Sequence, residues 1–148
     1  MVLQESKKYL IDTNILIYAV NENSAYHEKA LDLLQNIAVK SYNACISTQN
    51  ILEFQRVLTH KSFENVLPQE NIDEIVKIWL DYFEVIFEDK TVWLEYQKLT
   101  KRIKPSGNKI FDLWLSATMK ANGVDVIITV NTKDFKNIKG IKAINPFL

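Results

Sequence analysis

Apolar residues along the chain fall into two alternating kinds of pattern. Tyr9, Leu10 and Ile11 form a short continuous run that ends at Asp12, whereas Ile15, Leu16, Ala19 and Val20 recur at helical spacing from Asn14 onward. A strand feeding a helix is the expected local structure. Tyr26 to Ile37 repeats the helical pattern, and Ala44, Cys45 and Ile46 repeat the strand pattern, with Ser47 and Thr48 behind them as helix-capping hydroxyls. A helix over about 49–61 follows. After a break around Phe63 to Pro68, the residues Ile72, Ile75, Val76, Trp79 and Leu80 predict another amphipathic helix. Val85, Ile86 and Phe87 predict a strand, and about 91–103 a further helix. Pro105, Ser106 and Gly107 stop that helix, and the next runs from about Lys109 to Asn122, ended by Asn122 and Gly123. Asp125 to Thr129 reads as a strand whose Val126, Ile127 and Ile128 are apolar on both faces, as in the middle of a covered parallel sheet. A last short strand is expected near Ile141 to Ile144.

Strands separated by helices of ten or more residues imply right-handed βαβ crossovers. The expected fold is therefore an α/β, three-layer α/β/α sandwich around a mainly parallel central sheet of four to five strands. In such sheets ligands gather outside the carboxyl ends of the strands.

Composition narrows the class. At 148 residues with 47% apolar residues, the chain fits one compact domain over residues 1–148, and only three Gly and three Pro exclude a linker-dominated or collagenous chain. Cys45 is the single cysteine, so neither an intramolecular disulfide nor a cysteine zinc cage is available, and its apolar neighbours predict a small buried side chain. With no signal-like start and no apolar run of membrane-spanning length, a cytoplasmic protein without membrane contact is expected. Charge is balanced overall but not along the chain. Residues 1–100 carry 9 Lys and Arg against 15 Asp and Glu (−6), whereas residues 101–148 carry 9 against 3 (+6). The C-terminal third can thus present a basic surface to a polyanion.

Candidate chemistry falls at the carboxyl edge. Asp12 follows the first strand, Glu53 lies a turn into the helix after the second, Asp112 lies in the first turn of the helix after the Pro-Ser-Gly break, and Asn131 and Asp134 follow the strand ending at Thr129. Carboxylates gathered in one cleft repel, so the group calls for a cation. Oxygen ligands without His or Cys suit Mg2+ or Mn2+, one or two ions, which keep bound waters. Hydrolysis of a nucleic-acid phosphodiester is the reaction such a site serves.

These residues resemble the motifs of a known family. Tyr9-Leu10-Ile11-Asp12-Thr13-Asn14-Ile15-Leu16-Ile17-Tyr18 resembles the opening of a PIN domain, the nuclease fold of VapC-type toxins in toxin–antitoxin pairs. Ile46 to Phe54 resembles the second motif, with a helical Glu after a strand and a hydroxyl. Phe111-Asp112-Leu113 with Ser116-Ala117-Thr118 resembles the third, and Ile128 to Phe135 the fourth. Four motifs in order, from about residue 8 to the end, make accidental agreement improbable. The segment 59–90 matches no toxin subgroup.

The resemblance implies a metal-dependent ribonuclease with Asp12, Glu53 and Asp112 as metal ligands. Family members place the fourth polar or acidic group at either the Asn131 or the Asp134 position. Asp134 is favoured as the ligand, directly or through water, with Asn131 as its neighbour. Asn14 and Thr129 are expected to orient carboxylates by hydrogen bonds. The resemblance also implies an RNA substrate, a cognate antitoxin covering the cleft, and homodimerisation.

Each residue also has a plainer role. Asp12 is a favoured helix N-cap, Asp112 complements the positive end of its helix, and Asp134 suits a loop turn. Glu53 sits on the rim of the stripe formed by Ile51, Phe54 and Leu58. His27 and His60 are expected to be exposed and without a role. Trp79, Trp93 and Trp114 are expected in the core, although an exposed one can stack on a base. Lys101, Arg102, Lys104 and Lys109 precede Asp112, and Lys133, Lys136, Lys139 and Lys142 surround the fourth motif, with Lys109 and Lys133 as candidate substrate contacts. The alternative to a nuclease is a catalytically inactive PIN-like module that binds RNA or protein. A phosphatase or phosphotransfer receiver fits the spacing poorly.

Overall fold

The computed structural model describes residues 1–148. Its elements alternate as expected: β1 (Tyr9–Ile11), α1 (Thr13–Val20), α2 (His27–Val39), β2 (Ala44–Ser47), α3 (Thr48–Thr59), α4 (Gln69–Tyr82), β3 (Glu84–Ile86), α5 (Lys90–Ile103), α6 (Lys109–Ala121), β4 (Val126–Ile128) and β5 (Lys142–Ile144). The five strands form one sheet in the order β3-β2-β1-β4-β5. Every pairing is parallel, with Tyr9, Leu10 and Ile11 opposite Val126, Ile127 and Ile128.

Alternation along these short strands divides the core in two. Tyr9, Ile11, Ala44, Ile46, Val126 and Ile128 face one side, where Ile15, Leu16, Ile37, Phe54, Leu58 and Ile72 of α1 to α4 cover them. Leu10, Cys45 and Ile127 face the other, under Val92, Leu99, Leu113, Ala117 and Met119 of α5 and α6. Helices on both faces explain why the central strands are apolar at every position. Cys45 is buried as expected. Its thiol points at the Tyr9 carbonyl, and burial pushes its pKa up to about 12, so it stays protonated and unreactive.

Several local details differ from the sequence reading. The segment after Asn131 is a 3-10 turn, Thr132–Phe135, because the buried Phe135 anchors it beneath α6. Phe87 lies outside β3 and is exposed, as is Leu80. Of the three tryptophans only Trp79 is in the core, packed edge-on to Phe54. Trp114 is half-buried, and Trp93, 50% exposed, is a surface residue, since α5 turns Val92, Tyr96 and Leu99 inward instead. His27 is half-buried, with Nδ1 3.1 Å from the Tyr18 carbonyl, while His60 is exposed. At Gly123, φ of +69° turns the chain out of α6 into β4, and Val124 N–H closes back on the Met119 carbonyl. No helix is long and apolar enough to cross a membrane.

Candidate active site

Neighbours β2 and β4 flank β1, so the segments leaving β1 and β4 open a crevice at the carboxyl edge. The crevice is a cavity of ≈ 220 Å³ lined by Asp12, Thr13, Asn14, Gln49, Glu53, Asp112, Asn131 and Asp134, among others. The four acidic residues singled out in the sequence, and both candidates for the fourth position, therefore border one space.

Asp12 is the deepest. It caps α1, Oδ1 accepting from Thr13 N–H at 2.8 Å. Its other oxygen, Oδ2, accepts from Asn14 Nδ2 at 2.9 Å and from Thr129 Oγ1 at 2.6 Å. The cap thus uses one oxygen, and Asn14 and Thr129 hold the other. Thr129 Oγ1 in turn accepts from Asn14 Nδ2 and from the Asn131 N–H, both at 3.0 Å, so the end of β4 is tied to the start of α1. Burial raises Asp12 to about 6 despite the three hydrogen bonds, which lower it, and nearby Glu53 raises it further. Replacing Thr129 by Val removes the strongest of those bonds. NMR titration is expected to place the Asp12 carboxyl above its parental value, with a stability loss of about 1–2 kcal/mol from the orphaned donors. An unchanged titration would show that Thr129 does not hold Asp12.

Glu53 is held from both sides. Thr13 Oγ1 donates to Oε2 at 3.2 Å and Gln49 Nε2 donates to Oε1 at 2.9 Å. Thr13 is itself fixed by buried Asn50, whose Nδ2 reaches it at 3.1 Å while Oδ1 accepts from Ser47 N–H at the start of α3. Asn50 belongs to a capping box with Ser47. Thr13, Gln49 and Asn50 were not singled out in the sequence. Gln49 carried the one available signal, since it lies four residues before Glu53 on the same helix face.

Asp112 lies in the first turn of α6, where the helix dipole favours it. Its carboxyl is nevertheless raised, by burial first, then by Asp134 and Glu53, while Lys109 opposes the rise. Lys109 opens α6, an unfavourable end for a cation. Its ammonium is held there by the Asp134 backbone carbonyl, to which it donates, and by Asp112 Oδ2 at 3.8 Å. Lys133, next to Asp134 in the chain, is exposed, as are Lys101, Arg102, Lys104, Lys136, Lys139 and Lys142, but Lys142 opens β5 opposite Val126 at the amino edge of the sheet, away from the site. Asn131 is exposed and joins the network through its backbone alone. As placed, no three acidic, His or Cys side chains stand close enough together to hold one metal ion.

Fold and cleft together define an α/β protein with a cavity lined by acidic residues at the carboxyl edge of a parallel sheet. Residues 9–141 match the PIN domain, and the chain belongs to that family. It is 26% identical over 141 residues to Ribonuclease VapC48 of Mycobacterium tuberculosis, covering 92% of this chain and 95% of that protein. Its fold is similar to a chain of VapBC2 from Rickettsia felis bound to a DNA fragment from their promoter, with TM-score 0.67, 24% identity and coverage of 93% and 98%. The same holds for VapBC-1 from nontypeable Haemophilus influenzae, with TM-score 0.68, 21% identity and coverage of 95% and 99%.

Proposed function

We propose that this protein is a metal-dependent ribonuclease in which Asp12, Glu53, Asp112 and Asp134 hold one or two Mg2+ or Mn2+ ions. The observation that carries the reading is that four acidic residues, from separate chain segments, line one small cavity, where a cation would have to draw their carboxylates together. Burial and mutual repulsion raise two of them, a charge imbalance that a divalent cation relieves. The donor set is oxygen throughout, as these hard ions require. Gln49 Oε1, next to Glu53, is buried without a donor, an acceptor that a water carried by a hydrated ion can satisfy. When bound, the cation supplies charge stabilisation and an acidified water for phosphodiester hydrolysis.

The chain's own residues do the rest. Asn14 and Thr129 orient Asp12, and Thr13 and Gln49 orient Glu53. Lys109, already between Asp112 and Asp134, is placed to take a phosphate oxygen, with Lys133 a second contact on the rim. RNA as the substrate is supported by the name of the relative, and a toxin role with a cognate antitoxin by the VapBC structures that share this fold, while a cytoplasmic location and an antitoxin seated over the cleft belong to the same proposal. Homodimerisation is part of the same reading.

Cleavage of a labelled single-stranded RNA tests it. Activity is expected with Mg2+ or Mn2+, none in EDTA, and calorimetric titration is expected to show Mn2+ binding that Asp112→Asn weakens at least tenfold. Full activity in EDTA would remove the metal. Manganese binding without cleavage would make the protein an inactive PIN-like binding module.

A further inference from the structure

A second and larger depression, ≈ 810 Å³, adjoins the acidic cavity between α3 and α6 and shares Gln49, Glu53 and Asp112 with it. Helical spacing builds its walls: Leu52 and Arg56 continue the Gln49 and Glu53 stripe of α3, and Phe111 and Trp114 lie three residues apart on α6. Leu52 is 67% exposed and Phe111 58%. One exposed apolar side chain is ordinary, but here two on neighbouring helices line one depression. Trp114 packs edge-on against Tyr96, with ring centroids 5.4 Å apart, and is flanked by Trp93 at 6.2 Å.

The charges in this depression select the ligand. Arg56 makes no ion pair, whereas Glu53, Asp112 and Glu88 are acidic, so a phosphate is disfavoured inside it and a neutral, flat, amino-bearing group is favoured. Glu88 accepts from Thr48 with one oxygen and keeps the other free, and the Asn108 side chain makes no hydrogen bond within the protein. We propose that this depression receives an unpaired nucleobase of single-stranded RNA, stacked on Phe111 and Trp114, while the adjoining phosphate lies at the acidic cavity. The inference rests on the ribonuclease reading and adds a base subsite beside its cleft. A base locked in a duplex cannot enter, so the neighbouring nucleotide must be unstacked. Arg56 stands on the wall to meet the face of the base.

Binding is read from tryptophan fluorescence with Ca2+ replacing Mg2+ or Mn2+. The probes are a single-stranded oligoadenylate of about 12 nucleotides and an abasic ribose-phosphate strand of equal length. Oligoadenylate is expected to quench the fluorescence, Phe111→Ala to weaken its binding about tenfold, and Phe111→Trp to restore it, since one stacked base is worth roughly that factor or more. The abasic strand is expected to bind weakly and equally to parent and Phe111→Ala. Because Phe111 is exposed, thermal melting is expected to be unchanged. Absent oligoadenylate binding, equal binding by parent and Phe111→Ala, or an equal loss on the abasic strand overturns the proposal. So does a Phe111→Ala change confined to self-association, which would assign the depression to a second copy of the chain. Cleavage, scored separately with Mn2+, distinguishes the two readings. Phe111-dependent base binding without cleavage removes the ribonuclease and keeps the pocket, whereas cleavage with an unchanged Phe111→Ala keeps the ribonuclease and removes the pocket.

Discussion

Replacing Asp12 by Asn is expected to abolish RNA cleavage, by about 10³-fold or more, while making the metal-free protein more stable at neutral pH. In the proposed metal site the activity loss follows from removing one of the charges that would seat the cation, on the scale seen when a group stabilising developing charge is deleted. The gain in stability follows from burial. Asp12 is 8% exposed and its carboxyl is raised to about 6 from 3.8, so between those values the folded state holds a proton that the unfolded state has released. Stability in EDTA must therefore fall as pH rises from about 4 to about 6, by about 3 kcal/mol, and stay low above that. Asn carries no charge and removes the Asp12 share of this slope, leaving the share that comes from the raised Asp112. It keeps the cap on Thr13 N–H, but its amide nitrogen meets the Asn14 donor, which cancels part of the gain. A net rise of about 1–2 kcal/mol, or several degrees in melting temperature, is expected at pH 7.5. Denaturant titrations at pH 4, 6 and 7.5 on both proteins check the slope, and parental cleavage by Asp12→Asn would end its assignment as a ligand.

The second large effect is expected at Asn50, which touches neither the cavity nor solvent. Its side chain serves the Ser47 N–H and hydroxyl through Oδ1, and the Thr13 hydroxyl through Nδ2. Asn50→Ala leaves a buried backbone donor unpaired, removes the capping box and opens a small void, for a combined cost of about 3 kcal/mol. Melting is expected to drop by about 10 °C. Catalysis should fall as well, though less than for Asp12→Asn, because Thr13 then loses one of the partners that hold it against Glu53. Asn36→Ala is the control: Asn36 bonds only to the exposed Asp32 carbonyl on α2, and its loss should stay within about 0.5 kcal/mol. Equal melting of the two variants would show that the network under the cleft contributes nothing.

The division between what was legible and what was not follows the range of the forces involved. Period-two and period-3.6 patterns are local, so the strand runs ending at Ile11, Ile46 and Ile128 and the helices between them could be read from the sequence, to within a few residues at their ends. The parallel arrangement followed, because short strands joined through helices can pair only by crossovers. The position of Asp12, Glu53, Asp112 and Asp134 at the carboxyl edge followed in turn, since each stands directly after a strand or near a helix start. Exposure was harder to read. Trp93 and Leu80 carry core-like side chains at helical spacing, but which arc of α5 or α4 faces the sheet is decided by packing against other elements.

Other features depend on residues far apart in sequence and left no local trace. Lys109 turned toward the Asp134 carbonyl and Asn50 under Thr13 are such long-range bonds, whereas Thr129 on Asp12 was expected from the family motifs and only its partner and geometry came from the fold. The groove between α3 and α6 arises in the same way. Alone, the sequence determined the alternation of elements, the family motifs and the identity of the acids. Tertiary structure decided the strand order, which acids are buried enough to be raised, and which polar groups hold them, because desolvation and hydrogen bonding depend on neighbours that chain order does not name.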